Sequence, residues 1–358
     1  MKKEVQKLNL IGVIGNTWES ITACLIKEMF LGAGFQITYI NEKENIIFLK
    51  SKNGRQVGII VISPKYLEAV CNLGINFQIV VHTFIDNENL NDIEIAKLFS
   101  SIKDIIIFNI DDENSMSFLK GNDKALVIAY GLNNKATITA SSLDINNCIN
   151  FNLCIQRNII TIDKEIIEPF DFPVKLNLIG KHNIYNVLAA ISVALCYGID
   201  LELIKKSLSQ MKGMTRRLEK IYEGDFTIID NFCSIPSDYN IAFEAIQNFK
   251  YKNIIIINGV ETSSGIQVIN KSLETMANWI SVLESEKLLL FLDKEDKKIE
   301  ECIEAILSQQ NIKYRKFYSL RNCIEEGLKL LNKDDILLIL GGENVDEANK
   351  IISNFLTS

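Results

Sequence analysis

Runs of β-branched and aliphatic residues alternate with amphipathic stretches along most of the chain, and this alternation limits the possible folds more than any other feature. In the first half the apolar runs read LNLIGVI, VGIIVIS, FQIVVHTF, DIIIFNI and ALVIAYG. Continuous apolar runs are typical of parallel strands that helices cover on both faces. The chain is therefore predicted to be an α/β protein.

The pattern changes between about residues 136 and 175, where ATITASSLDI, CINFNLCI and NIITI alternate as antiparallel strands do. Two helical stretches follow, and the strand–helix series restarts after KGMTRRLEK. We predict a first domain over residues 1–213, with a mostly parallel sheet and a small antiparallel sheet. A Rossmann-like second domain is predicted over residues 214–358.

Composition excludes several classes of protein. With 358 residues, 47% of them hydrophobic, the chain can bury two cores, and its net charge of −7 gives no basic surface for nucleic acid. The short N-terminal apolar run predicts neither a signal peptide nor a membrane span, so we expect a cytoplasmic protein. The eight cysteines, among them Cys24, Cys71, Cys196 and Cys233, form no CxxC pair and are predicted to be reduced core residues.

The segment IGVIGNTWESIT joins a predicted strand to a predicted helix through a glycine turn. Such a turn presents backbone N–H groups and a helix N-terminus to an anion, and a lysine at its end neutralises phosphate. Trp18 and Glu19 stand where that glycine and lysine would be, and a carboxylate there repels phosphate. By itself the segment predicts an ordinary strand-to-helix turn capped by Thr17.

Several motifs together resemble the Mur ligase family, the ATP-dependent enzymes that add amino acids in peptidoglycan synthesis. LNLIGKHNIYNVLAAISVALCYG keeps the spacing LxGxHNxxNxxAAxxxAxxxG, and GVIGNTWESIT overlays the family's GVTGTNGKTTT without a gap. GMTRRLEKI is similar to GxxGRxExV, IIDNFCSIPSDY to VVDYAHTPxxL, and NIDDEN to NxDDxx. The resemblance is strongest to the UDP-N-acetylmuramoyl-tripeptide synthetase branch, and we expect the chain to lack that branch's N-terminal UDP-binding domain.

Mur ligases phosphorylate a carboxylate with ATP and Mg²⁺ and let an amine attack the acyl phosphate. The resemblance implies a nucleotide-site-like set of residues that would line a cleft between the two domains. These residues are Gly15, Asn16, Thr17, Ser20, His182, Asn183, Asn186 and Arg217.

Other positions depart from the family pattern in the residues that carry its chemistry. Trp18 and Glu19 replace the glycine and lysine of the phosphate loop. Val61 falls on the metal-binding glutamate, Asn89 on a metal-binding histidine, and Asn231 on the ribose-binding aspartate. We therefore predict no catalytic residue, no metal site and no resident cofactor, although ATP and Mg²⁺ serve the family.

The retained residues also have a structural interpretation. An asparagine near a helix start can cap backbone N–H groups, and Arg217 can pair with a carboxylate such as Glu219. His82, at a strand end, is predicted to be structural. Either role is compatible with the sequence for His182 and Asn183.

Two functions remain open. The first is a non-catalytic Mur ligase homologue that binds a small molecule or a protein in the cleft, alone, as an oligomer or as a subunit of a complex. The alternative is an active ATP-dependent carboxylate–amine ligase with an altered site and a substrate other than a UDP-muramoyl peptide. We favour the first, because Glu19 and Val61 withdraw the charge stabilisation on which phosphoryl transfer depends.

Overall fold

The computed structural model describes residues 8–15, 19–41, 45–63, 66–85, 92–145, 148–211, 213–283, 285 and 287–356. The chain divides into two units. Unit 1 comprises Met1–Asn177 and Lys181–Lys212, and unit 2 comprises Leu178–Gly180 and Gly213–Ser358. Each unit has its own large sheet, and we describe each separately.

The large sheet of unit 1 has the strand order β12-β9-β8-β7-β6-β5-β1-β4-β3-β2 within the described residues. Its strands are β1 (Leu8–Ile14), β2 (Gln36–Asn41), β3 (Ile46–Lys50), β4 (Gln56–Ile62), β5 (Ile79–His82), β6 (Ile105–Asn109), β7 (Leu126–Tyr130), β8 (Ile138–Asp144), β9 (Ile149–Ile155) and β12 (Phe170–Leu176). A separate small hairpin pairs β10 (Ile159–Ile160) with β11 (Ile166–Ile167).

The centre of this sheet is parallel, as the apolar runs predict, with β4, β1, β5, β6 and β7 side by side. The antiparallel strands β8, β9 and β12 are also present. They do not form a sheet of their own, however. A short loop after Tyr130 brings β8 back beside β7, where Ile138 pairs with Tyr130 and joins the two parts.

Helices cover both faces of the sheet. They are α1 (Glu19–Gly32), α2 (Leu67–Asn72), α3 (Asp92–Ser101), α4 (Ser115–Phe118), α5 (His182–Cys196) and α6 (Leu201–Gln210). Helix α5 packs on α1 and on the central strands, and it is buried over most of its length because its sequence is apolar on every side. Leu98 and Phe99 of α3 belong to a core cluster that includes Ile106 of β6.

The sheet of unit 2 has the order β13-β14-β18-β15-β16-β17. Its strands are β13 (Glu219–Glu223), β14 (Thr227–Phe232), β15 (Ile254–Val260), β16 (Lys287–Leu292), β17 (Tyr314–Phe317) and β18 (Ile336–Gly341). All pairs are parallel except the edge pair β13–β14. The helices are α7 (Pro236–Ile246), α8 (Ile266–Val282), α9 (Lys297–Gln309), α10 (Leu320–Lys329) and α11 (Ala348–Leu356).

Strand residues of unit 2 alternate between two cores. Ile254, Ile256 and Leu338 pack beneath α7, α8 and α9, whereas Ile255 and Leu337 pack beneath α10 and α11. This two-sided burial explains why the strand sequences are apolar without interruption.

Five strands are absent from the segments predicted as strands: β2, β3, β11, β12 and β13. Strand β2 contains an irregularity between Ile37 and Tyr39 that breaks the period-two pattern, and β13 is a charged edge strand. Of the cysteines predicted to lie in the core, Cys196 and Cys233 are buried, but Cys24 and Cys71 are half-buried. No helix among the described residues is long and apolar enough to span a membrane.

Replacing Ile256 by alanine should destabilise unit 2 by about 2–5 kcal/mol, because the cavity it leaves lies between sheet and helices. Trp279 stacks on Phe243 in the same core, so its fluorescence in a Trp18→Phe background reports urea unfolding of unit 2. Val282→Ala is the control, since Val282 is 65% exposed and should change stability by less than about 0.5 kcal/mol. Equal losses in both variants would contradict this assignment of the core.

Candidate functional site

The carboxyl ends of the parallel strands bring the polar motifs of unit 1 together. Gly15 follows β1, Thr83 follows β5, and the segment Asn109–Asp112 closes β6. In open α/β sheets ligands bind beyond these ends, because the connecting loops diverge there.

Gly15 lies directly against the end of β5. A Cβ atom at this position would be 2.0 Å from Thr83 Oγ1, so the close approach requires glycine. Thr83 ties the two strand ends together, since its backbone N donates to Ile14 O at 2.9 Å and its hydroxyl donates to the same oxygen at 3.1 Å.

The rest of the predicted phosphate loop is described only in part. Asn16, Thr17 and Trp18 lie outside the described residues, so the Thr17 cap stays a prediction. Helix α1 begins at Glu19, whose side chain is likewise not described, and Ser20 is half-buried at its second position.

His82 forms a buried pair with Asp112. Its Nε2 lies 3.0 Å from Asp112 Oδ2, and its ring makes edge contacts with Phe99 and Phe118. Burial opposes ionisation of Asp112, but interactions with His82 and hydrogen bonds from two backbone amides outweigh it and lower the pKa of this carboxyl. This arrangement supports the structural interpretation of His82.

The other polar residues of NIDDEN are bonded within unit 1 as well. Asn109 Nδ2 donates to Thr83 O at 2.9 Å, and Asp111 Oδ2 accepts from the backbone N of Leu132 at 2.6 Å. Burial, together with the charge of Asp111 and a hydrogen bond to it, raises the pKa of the Tyr185 hydroxyl. The motif therefore fixes the loops at this sheet edge.

The start of α5 carries the predicted residues His182, Asn183 and Asn186. Asn186 Oδ1 accepts from Thr22 Oγ1 at 3.1 Å, and its Nδ2 donates to Asn183 Oδ1 at 2.9 Å. Both asparagines are buried, and the chain of bonds joins α5 to α1. His182 is the first residue of α5 and is half-buried.

The implied metal positions hold no charged oxygen ligand among the described residues. Val61 is half-buried near the end of β4, in register with Val13 of β1, and is aliphatic. Asn89 lies outside the described part of the chain. Where the structure describes the chain, no three His, Cys, Asp or Glu side chains are grouped so as to hold a metal ion.

In unit 2 the dominant polar group is Arg216, which the sequence analysis did not single out. The Arg216 guanidinium is buried and donates to Asp230 Oδ2 at 3.1 Å, to Gly341 O at 2.7 Å and to Gly342 O at 2.6 Å, and it also pairs with Asp346. It joins the ends of β14 and β18. Burial raises the pKa of Asp230 to about 6, although Arg216 opposes the shift.

Arg216 also adopts an unusual backbone conformation, with φ at 55°. It stands on the second glycine of the motif GxxGRxExV, and left-handed φ values favour glycine. An arginine at a motif position where the family has glycine was therefore the sequence feature that could have drawn attention to residue 216.

The other junction residues also have structural partners. Glu219 Oε2 accepts from the backbone N of Arg216 at 2.9 Å rather than pairing with Arg217, whose guanidinium lies 5.4 Å from the Phe232 ring centroid. Asn231 is buried, and its Oδ1 accepts from Leu218 N at 3.0 Å while its Nδ2 donates to Phe232 O at 3.0 Å. The predicted use of Arg217 in a cleft between domains stays a prediction.

A small cavity of about 30 Å³ lies at the carboxyl ends of β14, β15 and β18. Strand β18 lies between β14 and β15, and the chain leaves it toward the opposite face of the sheet from α7 and α8. This is the crevice at which such sheets bind ligands. The polar lining is Ser234, Tyr239, Asn258, Glu261, Ser264 and Ser272.

Three features make this cavity a built polar site. Ser272 Oγ is buried and has no hydrogen-bond partner among the described residues. A Cβ on Gly342 would come within 2.6 Å of Glu261 Oε2, so glycine lets that carboxylate reach the crevice. The Tyr239 hydroxyl donates to Asn258 Oδ1 at 2.8 Å and fixes the amide. Of these residues, the sequence analysis had placed only Tyr239 in a motif, at the end of IIDNFCSIPSDY.

Comparison with known proteins matches residues 88–194 to the Mur ligase middle domain. UDP-N-acetylmuramate–L-alanine ligase of Persephonella marina is 28% identical over 291 residues, which cover 75% of this chain and 57% of the relative. UDP-N-acetylmuramoyl-L-alanyl-D-glutamate–2,6-diaminopimelate ligase 1 of Clostridium acetobutylicum is 23% identical over an alignment of 376 residues, gaps included. The alignment covers 94% of this chain and 73% of the relative. These matches support a Mur ligase family member.

The solved structures agree in fold. MurF from Acinetobacter baumannii superposes with a TM-score of 0.75 at 13% identity, covering 98% of this chain and 77% of that one. The Mur ligase resemblance and the two-part α/β architecture predicted from sequence are confirmed. The chain spans between 30% and 57% of the length of the alanine ligases it matches, so about half in most cases.

The raised pKa of Asp230 predicts a specific pH dependence. Because the folded pKa of Asp230, about 6, lies above its ordinary value of 3.8, the folded chain retains a proton between these pH values that the unfolded chain releases. This contribution to stability is complete below about pH 4 and is lost as the pH rises through about 6. Asp230→Asn should remove this contribution. The pH-dependent change in the free energy of unfolding across that window should then differ from the parent's by up to about 3 kcal/mol.

Urea unfolding followed by Trp279 fluorescence in the Trp18→Phe background measures this slope. Asp225→Asn, an exposed carboxylate in the same unit, is the matched control and should keep the parental profile. Identical profiles for Asp230→Asn and its parent would show that Asp230 does not titrate in this range.

Proposed function

We propose that this Mur ligase family member is a non-catalytic homologue that binds a ligand without ATP-dependent amide formation. The observation that carries the proposal is Val61, an aliphatic side chain beside the end of β1 where the resemblance implies a magnesium-binding glutamate. Phosphoryl transfer depends mostly on positioning and on charge neutralisation by metal and lysine. A site without these groups loses its main source of rate enhancement.

The nucleotide positions of unit 2 support the same conclusion. Asn231 replaces a ribose-binding carboxylate, and both ends of its amide serve the backbone around it. In unit 1, Glu19 is the first residue of α1, a position at which the helix dipole favours a negative charge. A carboxylate at this end of the helix competes with phosphate for the same backbone amides.

The ligand we propose is a small molecule with a primary amine, held in the cavity of unit 2. The Glu261 carboxylate supplies charge for an ammonium group, and Ser272 Oγ supplies an unused acceptor. A volume of about 30 Å³ suits such a group rather than a whole nucleotide. The relatives are named for L-alanine and 2,6-diaminopimelate, which both carry amines.

Calorimetric titration with ATP and Mg²⁺ tests the non-catalytic assignment. The wild type should show neither binding in the micromolar range nor ATPase activity above background. Trp18→Gly with Glu19→Lys should restore measurable ATP affinity but little turnover, because Val61 still provides no metal ligand. Trp18→Gly with Glu19→Gln is the matched control, which removes the repulsion without adding the cation and should bind more weakly.

Magnesium-dependent ATP hydrolysis by the wild type that disappears in Ser20→Ala would overturn the proposal. That result would favour the alternative, an active carboxylate–amine ligase with a reorganised site. In that case another cation would take the role of the phosphate-loop lysine that Glu19 replaces.

Amine binding is tested by thermal denaturation with L-lysine, meso-diaminopimelate and L-alanine as probes. At least one probe should raise the Tm of the wild type, and Glu261→Gln should abolish the shift because it removes the charge facing the ammonium group. Glu343→Gln is the control, since Glu343 is exposed outside the cavity lining. A shift that survives Glu261→Gln, or no shift with any probe, would contradict an amine site here.

A further inference from the structure

The edge strands of the two sheets differ in how they are protected from pairing with other chains. An exposed edge presents unpaired backbone groups, and proteins usually block it with charged residues or proline. In unit 1, the edge strand β12 carries exposed Asp171, Pro173 and Lys175. In unit 2, both edges are charged, with Glu219, Lys220 and Glu223 on β13 and Arg315 and Lys316 on β17.

Strand β2, the remaining edge, carries neither a charged residue nor a proline. Its six residues are QITYIN, and among the described residues its outer side pairs with no other strand. Ile37, Tyr39 and Ile40 are 43%, 50% and 40% exposed. An uncharged edge with this much exposed apolar surface is suited to strand pairing.

The irregularity in β2 gives this edge a self-complementary pattern. Ile37 pairs with Leu49 and Ile40 with Ile47, and these β3 residues are two apart and share one face. Ile37 and Ile40 therefore lie on that face together, whereas in a regular strand residues three apart would point to opposite faces. Leu49 and Ile47 on the same face are buried, so the two isoleucines extend an existing apolar surface.

We propose that β2 pairs antiparallel with β2 of a second copy of this chain. A two-fold axis between Thr38 and Tyr39 sets Ile37 of each copy opposite Ile40 of the other, on the same face of a continuous sheet. Cross-strand apolar pairs of this kind stabilise antiparallel sheets. The strand itself brings no like charges together, although each copy carries a net charge of −7.

A second copy fits this edge better than an unrelated peptide because the pairing is isologous. Each of the two apolar residues finds its partner in the other under one symmetry operation, as closed dimers require. A single strand pair is a small interface, so the association should depend on concentration. The inference does not depend on the proposed function.

Sedimentation velocity over a concentration series tests the dimer. The wild type should shift from monomer toward dimer as the concentration rises, and Ile37→Lys should stay monomeric because two lysines would be buried against the opposing isoleucines. Ile166→Lys is the matched control, since Ile166 is 63% exposed on β11 in the same unit, and it should dimerise as the wild type does. Circular dichroism and Tm establish that each variant is folded.

The register is tested by disulfide trapping. A mixture of the Ile37→Cys and Ile40→Cys variants should form a crosslinked dimer on oxidation, with at least several-fold higher yield than either variant alone. A wild type that stays monomeric at all concentrations would overturn the proposal, and so would dimerisation unaffected by Ile37→Lys. Equal crosslinking in the single variants and the mixture would exclude this register and the self-pairing built on it.

Discussion

Parallel strands that are buried on both faces must all end at one edge of their sheet, and the backbone groups exposed there need partners. An enzyme leaves some of these groups open for its substrate. In unit 1 the described groups at this edge are hydrogen-bonded to one another. The Thr83 hydroxyl donates to Ile14 O, the Asn109 amide donates to Thr83 O, and the Asp111 carboxylate accepts from Leu132 N. The hydrogen-bonding capacity of these described groups therefore serves the fold.

Arg216 shows how unit 2 meets the same constraint. A left-handed conformation costs a non-glycine residue about 1–2 kcal/mol, and a buried guanidinium is expensive to desolvate. The cost is offset because the side chain satisfies two carbonyl oxygens and the buried carboxylate of Asp230. A buried ion pair of this kind adds little net stability, yet losing one partner typically costs about 3–5 kcal/mol. The network therefore fixes the ends of β14 and β18 against each other.

The sequence predicted the central architecture well because burial on both faces leaves a clear pattern. It failed at β2, where an irregular ladder disrupts the period, and at β13, where charges on an edge strand conceal the strand. At the candidate site it identified motif positions but did not single out Arg216, because a motif gives identities and not directions of side chains. The cavity around Glu261 could not be predicted from the sequence, since its lining comes from segments far apart in sequence.

The pattern of retained and altered family positions follows from these contacts. Gly15 cannot be replaced without displacing Thr83, and Asn186 links α5 to α1 through Thr22, so both would be kept by packing alone. Their presence is therefore weak evidence for phosphate or nucleotide binding. Val61 needs only to fit a strand, and valine does so at least as well as glutamate. Under the non-catalytic role that we propose, a chain would keep the first kind of residue and lose the second.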